Sequence, residues 1–253
     1  MFLRAAVEGI MRETGSEPLT IPVNVEDSVR TPVAPSPGRL RDFYFGATER
    51  LTLGLLKYQD RSFRFGPFAL VSFGAPTTTA DGWSFPIRGG ALVAEPGGEL
   101  RIGTRDGVTE VAVRGYRQTL PMPVYRVTQL LFHHFLTRLV LLRLRGRTPA
   151  EAPPATPAAR LAAGAVDAVL CLALARGRPR RALPLAAAYL VAGWSLLGGL
   201  TLGGLLLRQR VVAVDGSALT PGQALLRLAL LPVALYRLRA VHDEVAGTDV
   251  VRP

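Results

Sequence analysis

The pattern of apolar and polar positions changes in character along the chain. Between about residues 42 and 117, apolar and polar residues alternate in short stretches, which is typical of strands with one buried face. From residue 160 onward the apolar residues form long continuous runs instead. This change predicts an α+β protein, in which an antiparallel β-rich domain is followed by a small α-helical domain.

The clearest β signal is the segment LRIGTRDGVTEVAV at residues 100–113. Its Asp106-Gly107 pair is typical of a two-residue type I′ turn, in which both residues take positive φ. A hairpin closed at this turn pairs Arg105 with Val108, Ile102 with Val111, and Leu100 with Val113. The last two pairs place apolar side chains on one face, so the turn and the period-two pattern predict the same register.

Further strands are predicted beside this hairpin. A loop at residues 96–98 predicts a third strand that pairs Ala94 with Leu100 and Leu92 with Ile102. The segments FGPFALVSFG and GWSFPI also read as strands, because aromatic residues recur there at alternate positions. These aromatic residues form either core positions or a ligand-binding face. Together the strands predict a small antiparallel sheet or half-barrel.

A basic amphipathic helix is predicted from Pro123 to about Arg145. Proline at the first helical position and arginines near the end are typical start and stop signals. The predicted apolar stripe consists of Leu131, Phe132, Phe135, Leu139 and Leu142. The helix either packs on the sheet or lies in the headgroup plane of a membrane. His133 and His134 project about 100° apart without a third ligand nearby, so no metal site is expected.

Proline-rich segments predict the domain boundaries. Residues 1–41 are expected to form a mobile leader, because several prolines interrupt any sustained period; the alternative for residues 15–41 is a strand fragment followed by a Pro-rich tether. The β-rich domain with its terminal helix is expected at 42–146, a Pro/Ala linker at 147–159, and a membrane domain at 160–253. The first ten residues lack the continuous apolar run of a secretory signal, so the amino-terminal half is expected in the cytosol.

Two apolar segments are predicted to span a bilayer. Residues 161–175 are apolar except for Asp167, and with Arg160 and Arg176 as snorkelling ends they give a helix of roughly 25 Å. Residues 182–207 contain no charged residue. As one helix they measure about 39 Å, which exceeds the hydrocarbon core and implies tilt or an early helix end.

A third apolar helix and a glycine motif complete the predicted membrane domain. The third helix begins at Pro221 and is interrupted by Arg227 and Pro232, so it is too short to span and is predicted to be interfacial or re-entrant. Gly199 and Gly203 form a GxxxG motif, which either marks a close-packing face for a homo-oligomer or occurs by chance in a glycine-rich sequence.

Composition favours a membrane protein and argues against several other classes. A net charge of +11 accompanies a mean hydropathy of +0.25, a combination typical of basic residues beside lipid-embedded segments. The single Cys171 excludes an internal disulfide or a multi-cysteine metal site. The positive charge forms no concentrated patch, so no nucleic-acid partner is expected. No cofactor is expected, and the lack of a GxSxG or a recognisable carboxylate pair predicts that the protein is not an enzyme.

Four separated segments resemble a known family. They occur in order between residues 158 and 251, and they are AARLAAGAVDAVL, TLGGLLLRQRVVAVDG, TPGQALLR and HDEVAGTDVV. Together they resemble the RDD family of bacterial membrane proteins, which is named for one arginine and two aspartates. The resemblance implies a multi-pass membrane domain and a role in transport without a defined substrate. It does not extend to the amino-terminal half.

The resemblance also assigns a set of charged residues. It implies that Arg160 is the naming arginine, that Asp167 and Asp243 are the two aspartates, and that Arg227 is the arginine usual after the Asp-Gly turn. The chain departs from the family pattern at two positions, where Gly204 replaces the usual lysine and Arg208 the usual glycine.

The positions of these charges predict their pairing. An ionised aspartate in the middle of a membrane helix costs about 2.5–3.5 kcal/mol, so Asp167 needs a partner. Arg160 lies on the same face but about 10.5 Å away along the helix axis. We therefore expect Arg160 to pair with Asp243 at the cytosolic interface. Asp167 is expected deeper, where it faces Arg227 or a polar cavity.

Three roles for the protein remain open from the sequence. The buried charges are purely structural, or Asp167 titrates during transport of an ion or small solute, or the protein is a membrane-anchored binding or assembly factor whose β domain recognises a partner. The lipid bilayer is the expected partner in each case. The expected location is the cell membrane, with both the amino-terminal domain and the carboxyl terminus cytoplasmic. The arginine-rich loop at 176–181 then lies outside, against the positive-inside rule.

Overall fold

A computed structural model describes residues 22–146, 152–237 and 240–253. The chain divides between Leu144 and Arg145 into two compact units. The amino-terminal unit is built on a curled antiparallel sheet, and the carboxyl-terminal unit is mostly helical. The predicted α+β class is confirmed.

The sheet of the amino-terminal unit is antiparallel throughout and runs in the order β1-β8-β7-β6-β4-β3-β2, with the short β5 beside β6. Its strands are β1 (Val23–Arg30), β2 (Leu56–Gln59), β3 (Ser62–Phe65), β4 (Phe68–Phe73), β5 (Thr77–Thr78), β6 (Gly82–Gly89), β7 (Glu99–Arg105) and β8 (Val108–Tyr116). The antiparallel sheet expected from the alternating pattern is therefore present. FGPFALVSFG is not one strand, however, because Gly66 and Pro67 turn the chain between β3 and β4.

The predicted β7–β8 hairpin is confirmed in turn and register. Asp106 and Gly107 both take positive φ, at 51° and 74°. All three predicted pairs are present: Arg105 with Val108, Ile102 with Val111, and Leu100 with Val113. The predicted third strand is wrong, because β7 pairs with β6 and not with residues 92–94. Trp83 opposite Ile102 and Phe85 opposite Leu100 bring larger apolar side chains to that edge.

Residues 22–41 are not a mobile leader: the strand fragment expected as the alternative is present, but a helix begins where the Pro-rich tether was expected. Strand β1 pairs with β8 through most of its length, and its residues Val25 and Val29 are buried. A helix, α1 (Pro37–Leu51), follows it within the segment predicted as leader and strand. Residues 1–21 lie outside the described residues.

Aromatic packing holds α1 against the sheet. The Phe45 ring stacks on Tyr58 of β2 at a centroid distance of 3.7 Å and meets Phe85 of β6 edge-on at 5.3 Å. At the start of the helix, Trp83 Nε1 donates to the Pro37 carbonyl oxygen at 2.9 Å. Aromatic pairs of this kind contribute about 0.5–1.5 kcal/mol beyond the area they bury.

The predicted amphipathic helix is present in three consecutive parts: α2 (Met122–Tyr125), a π-helical turn at Arg126–Leu130, and α3 (Leu131–Arg145). Its predicted apolar stripe is buried at Leu139 and Leu142 but is wrong at the start of α3, where Leu131 and Phe132 are exposed.

The same helix packs on β1, which was one of its two predicted placements. His134 Nδ1 lies 3.0 Å from the Asp27 carboxylate, and Arg138 donates to the Ser28 carbonyl oxygen at 3.3 Å. These contacts fix the helix across the open side of the curled sheet.

The carboxyl-terminal unit consists of helices and one small hairpin. Its elements are α4 (Pro157–Leu174), α5 (Pro179–Ser195), α6 (Leu202–Leu206), β9 (Arg210–Ala213), α7 (Pro221–Arg237), α8 (Val241–Ala246) and β10 (Thr248–Val251). Helix α4 packs on α5 and α6, and α7 packs on α5 and α8. The predicted start of α7 at Pro221 is confirmed, with Thr220 and Gln223 bonded to each other as an N-terminal capping box.

The predicted Pro/Ala linker is wrong for residues 152–159. Ala155 is buried beside Trp194, and its backbone N–H donates to the Val250 carbonyl oxygen at 2.8 Å. Pro157 already begins α4. Small side chains are enough for this packing because the backbone itself pairs with β10. Residues 147–151 lie outside the described residues.

The long uncharged segment at 182–207 does not form one spanning helix. Helix α5 ends at Ser195, after which Gly198 and Gly199 take positive φ and the short α6 follows. Within the described part of the chain, one helix, α4, is long and apolar enough to cross a membrane. Gly199 and Gly203 are not on one helix, and the homo-oligomer assigned to them stays a prediction.

Gly203→Ala tests the close packing of α6 on α4. A Cβ at Gly203 lies 2.1 Å from the Ala163 carbonyl oxygen, so the two helices must separate. We expect the free energy of unfolding in mixed micelles to fall by about 1–3 kcal/mol. Gly164→Ala in α4 is the control, because no atom lies within 4 Å of its Cβ position. Equal losses in both variants would contradict this packing.

Candidate functional site

The first candidate site is a buried charge cluster centred on Asp243 of α8. Arg160 of α4 donates from Nη1 to Asp243 Oδ2 at 3.0 Å, which is the pair expected from the sequence. Arg227 of α7 donates to the other carboxylate oxygen, Oδ1. Asp243 is 1% exposed and Arg227 is 5% exposed, so this ion pair is withdrawn from solvent. One carboxylate therefore joins three helices.

Strand β10 adds two further groups to the cluster. The Thr248 hydroxyl donates to Asp243 Oδ1 at 2.7 Å and accepts from Arg227 Nη1 at 2.8 Å. Asp249 Oδ1 accepts from Arg160 Nη2 at 2.6 Å. Sequence reasoning missed both residues, although they follow Asp243 closely in the quoted segment HDEVAGTDVV.

Two more contacts hold the arginines in place. Arg160 Nε donates to the Ala155 carbonyl oxygen at 3.1 Å. The Arg227 guanidinium lies over the Trp194 ring at 4.8 Å from its centroid, which is a cation–π arrangement. The positions of both arginines are thus fixed by more than the carboxylate.

Asp167 lies in a separate, smaller polar site. Its Oδ1 accepts from the Tyr189 hydroxyl and from the Gly203 backbone N–H, both at 2.8 Å. Gly203 lies in the first turn of α6, where backbone N–H groups have no partner within the helix. The predicted approach of Asp167 to Arg227 is wrong, because Arg227 is bonded to Asp243 and Thr248.

The chemistry of the cluster is that of a structural ion pair. Burying charges costs several kcal/mol per ion unless geometry and further hydrogen bonds compensate. Here the Asp243 carboxylate receives donors from Arg160, Arg227 and Thr248. Removing the carboxylate leaves Arg227 as an uncompensated buried cation.

Asp243→Asn tests this role. We expect the free energy of unfolding to fall by about 3–5 kcal/mol, because the buried arginine loses its counter-charge. Asp249→Asn is the matched control, since Asp249 binds the same Arg160 but both side chains of this pair are partly exposed. We expect the free energy of unfolding of this variant to fall by only about 1 kcal/mol. Thermal unfolding of both variants in detergent measures the difference. Equal effects of the two substitutions would contradict the central place of Asp243.

The second candidate site is a cavity of about 420 Å³ in the amino-terminal unit. It lies in the concave face of the sheet, between α1 and the helix that begins at α2. Strands β1–β4 and β6–β8 supply mostly aliphatic and aromatic walls, such as Leu70, Leu100 and Val113. Pockets that bind small molecules commonly measure about 300–1,000 Å³ and are lined in this way.

Polar groups enter this cavity mainly from the helices. Burial raises the pKa of Tyr44 to about 12, and it raises the pKa of Tyr116 further above its ordinary value. Burial also lowers the pKa of His133 from 6.5 to about 4, against the opposing charge of Asp27. All three side chains are therefore uncharged near neutral pH. Sequence reasoning considered His133 only as a metal ligand and missed its place in the cavity wall.

The shifted pKa of His133 predicts a pH-dependent stability. The unfolded chain binds a proton near pH 6.5, but folded His133 does so only near pH 4. Its contribution to stability is therefore complete above pH 6.5 and is lost as the pH falls toward 4, by up to about 3 kcal/mol. Asp27 and His134 are the neighbouring titratable groups.

We expect His133→Leu to remove this part of the pH dependence. The measurement is the difference in unfolding free energy between the wild-type protein and the variant at pH 7.5 and at pH 4.5. The free energy of unfolding of the variant, relative to that of the wild-type protein, should be higher at pH 4.5 than at pH 7.5. A difference that does not change with pH would show that folded His133 titrates as it does in the unfolded chain.

Comparisons with known proteins identified no relative of this chain. No family model matches the chain, and no curated protein or solved structure matches it. The resemblance of residues 160–251 to the RDD family stays a prediction.

Proposed function

We propose that the protein is a membrane-anchored binding factor. In this proposal the carboxyl-terminal unit is the lipid-embedded anchor, and its buried charges hold that anchor together. The amino-terminal β unit is the part that recognises a partner. Residues 160–251 form a membrane domain of the RDD type.

The observation that carries this proposal is the large exposed apolar surface of the carboxyl-terminal unit, together with the charges buried inside it. Asp167, Gln223, Arg227, Asp243 and Thr248 are buried beside a small apolar core. Large apolar side chains cover its outside: Leu161, Val169, Leu172, Leu174, Leu183, Leu196, Leu197, Leu205, Leu206, Leu225, Leu235 and Tyr236. A surface of this kind is unfavourable in water and is expected where hydrocarbon is the solvent.

The dimensions of α4 fit the same interpretation. Its 18 residues have a mean hydropathy of 1.6, and as an α-helix they measure about 27 Å. The hydrocarbon core of a bilayer is about 30 Å thick, and the flanking Arg176 can extend its side chain to the headgroups. We propose that α5 enters the bilayer together with α4. The amino-terminal unit and the carboxyl terminus are then on the cytoplasmic side.

The environment of Asp167 favours a structural role over transport. Its carboxylate is 6% exposed and caps the first turn of α6, where a negative charge is stabilised by the backbone dipoles. Tyr189 supplies a second donor, and its hydroxyl in turn accepts from the Leu202 N–H at 2.6 Å. Transport of an ion or solute by Asp167 stays the alternative proposal.

Membrane partition of a charged variant tests the anchor. Val169 and Leu172 lie on the exposed face of α4. Replacing both with lysine places two charges in the hydrocarbon region, at about 2.5–3.5 kcal/mol each. We expect the double variant to lose at least a hundredfold in its partition onto phospholipid vesicles, measured by flotation after a carbonate wash.

Val33→Lys with Leu53→Lys is the matched control. Both residues are large, apolar and exposed, but they lie in the amino-terminal unit, so flotation should be unchanged. The proposal is wrong if the wild-type chain stays soluble and monodisperse without detergent, or if both double variants float equally well.

A further inference from the structure

We infer that the cavity of the amino-terminal unit binds an uncharged, single-chain amphiphile whose polar end is a hydroxyl group. This inference names the ligand of the recognition unit and therefore rests on the proposed function. It is carried by the walls of the cavity, by two buried polar atoms and by the π-helical turn beside them.

The walls exclude a charged ligand. None of the described residues that line the cavity carries a charged side chain, apart from His133, which is neutral near pH 7. A carboxylate or ammonium group would be transferred from water into this environment without a counter-ion. That transfer is far more costly than the transfer of a neutral polar group, so the cavity selects an uncharged molecule.

Most polar groups of the cavity wall already have partners in the protein. The Thr48 hydroxyl donates to the Tyr44 carbonyl oxygen at 2.8 Å, and the Thr128 hydroxyl donates to the Val124 carbonyl oxygen at 2.6 Å. The Tyr116 hydroxyl donates to the Leu92 carbonyl oxygen at 2.5 Å. These groups have no need of a ligand.

Two buried polar atoms in the cavity wall lack a hydrogen-bond partner among the residues that the structure describes. Gln129 donates from Nε2 to the Tyr116 hydroxyl at 2.7 Å, which leaves its Oε1 without a donor. His133 Nε2 is likewise buried without a partner. Leaving such atoms unsatisfied is costly, and both belong to side chains in the cavity wall.

A hydroxyl group matches this pair of atoms. It can donate to Gln129 Oε1 and at the same time accept from His133 Nε2–H, when these two side chains rotate toward the cavity. A carboxylate only accepts, so it leaves Gln129 Oε1 without a donor. The rest of the cavity is apolar and suits an aliphatic chain.

Gln129 and His133 lie on one wall of the cavity, where the π-helical turn meets α3. Gln129 lies within the turn at Arg126–Leu130, and His133 follows it by four residues. π turns of this kind cost helix stability and frequently occur at functional sites. Here the turn combines an exposed Val127 with a half-buried Gln129 in the wall of the cavity.

Photolabelling tests the inference on the full chain in phospholipid nanodiscs. The probe is a ten-carbon alcohol with a diazirine in its chain, and mass spectrometry locates the labelled peptides. We expect labelling within β4 and within residues 122–137, and 1-decanol should compete for it. Decanoate at pH 7.5 should compete at least tenfold more weakly, because its charge is excluded.

Two variants complete the test. Leu70→Trp fills the cavity and should reduce this labelling at least tenfold, whereas Val127→Trp on the exposed side of the π turn should leave it unchanged. Gln129→Leu should reduce the preference for decanol over decane about tenfold. Thermal unfolding of each variant reports whether it is folded. The comparison of decanol with decanoate needs no variant.

The outcomes separate this inference from the proposed function. Labelling of α4 and α5 by the same probe reports contact with lipid, so its absence would overturn the membrane anchor alone. Labelling confined to those helices, with none in β4 or residues 122–137, would overturn the cavity ligand alone. Equal competition by decanol and decanoate would overturn the uncharged class of ligand.

Discussion

One buried carboxylate determines how the carboxyl-terminal unit is assembled. Asp243 binds Arg160 from the first long helix, Arg227 from the last long helix, and Thr248 from the final strand. These groups come from different elements, and several leucines of those helices lie on the outside of the unit. In the proposed membrane anchor, apolar side chains gain little by associating with each other in hydrocarbon, so polar contacts and close backbone packing supply specificity. The Asp243 cluster and the Gly203 contact with α4 are these two devices.

Local signals predicted the parts of the fold whose partners lie close in sequence. The Asp106-Gly107 turn determined the register of its hairpin, since turn geometry and side-chain alternation both act over a few residues. The start of α7 followed from its capping residues in the same way. The contact between Arg160 and Asp243 was also predictable, because few charges occur among the apolar segments and each needs a counter-charge.

Features that depend on distant contacts were not predictable in this way. Alternation alone cannot show which of two apolar segments pairs with β7. In the structure it is β6, with Trp83 and Phe85, that pairs with β7. The position of helix α1 depends on the packing of Phe45 against aromatic residues of the sheet that are distant in sequence. Asp167 was expected to face Arg227 or a polar cavity, but it accepts from the Tyr189 hydroxyl and from the Gly203 N–H at a helix terminus. A backbone donor of this kind leaves no trace in side-chain patterns.

The π turn at Arg126–Leu130 is the irregular element of the cavity wall. A π turn holds more residues than an α turn, so it rotates α2 relative to α3 about the helix axis. Gln129 lies in this turn and in the cavity wall, and its Oε1 has no partner among the described residues. A buried oxygen without a donor is unfavourable for folding alone. A ligand that donates a hydrogen bond to Gln129 offsets that cost.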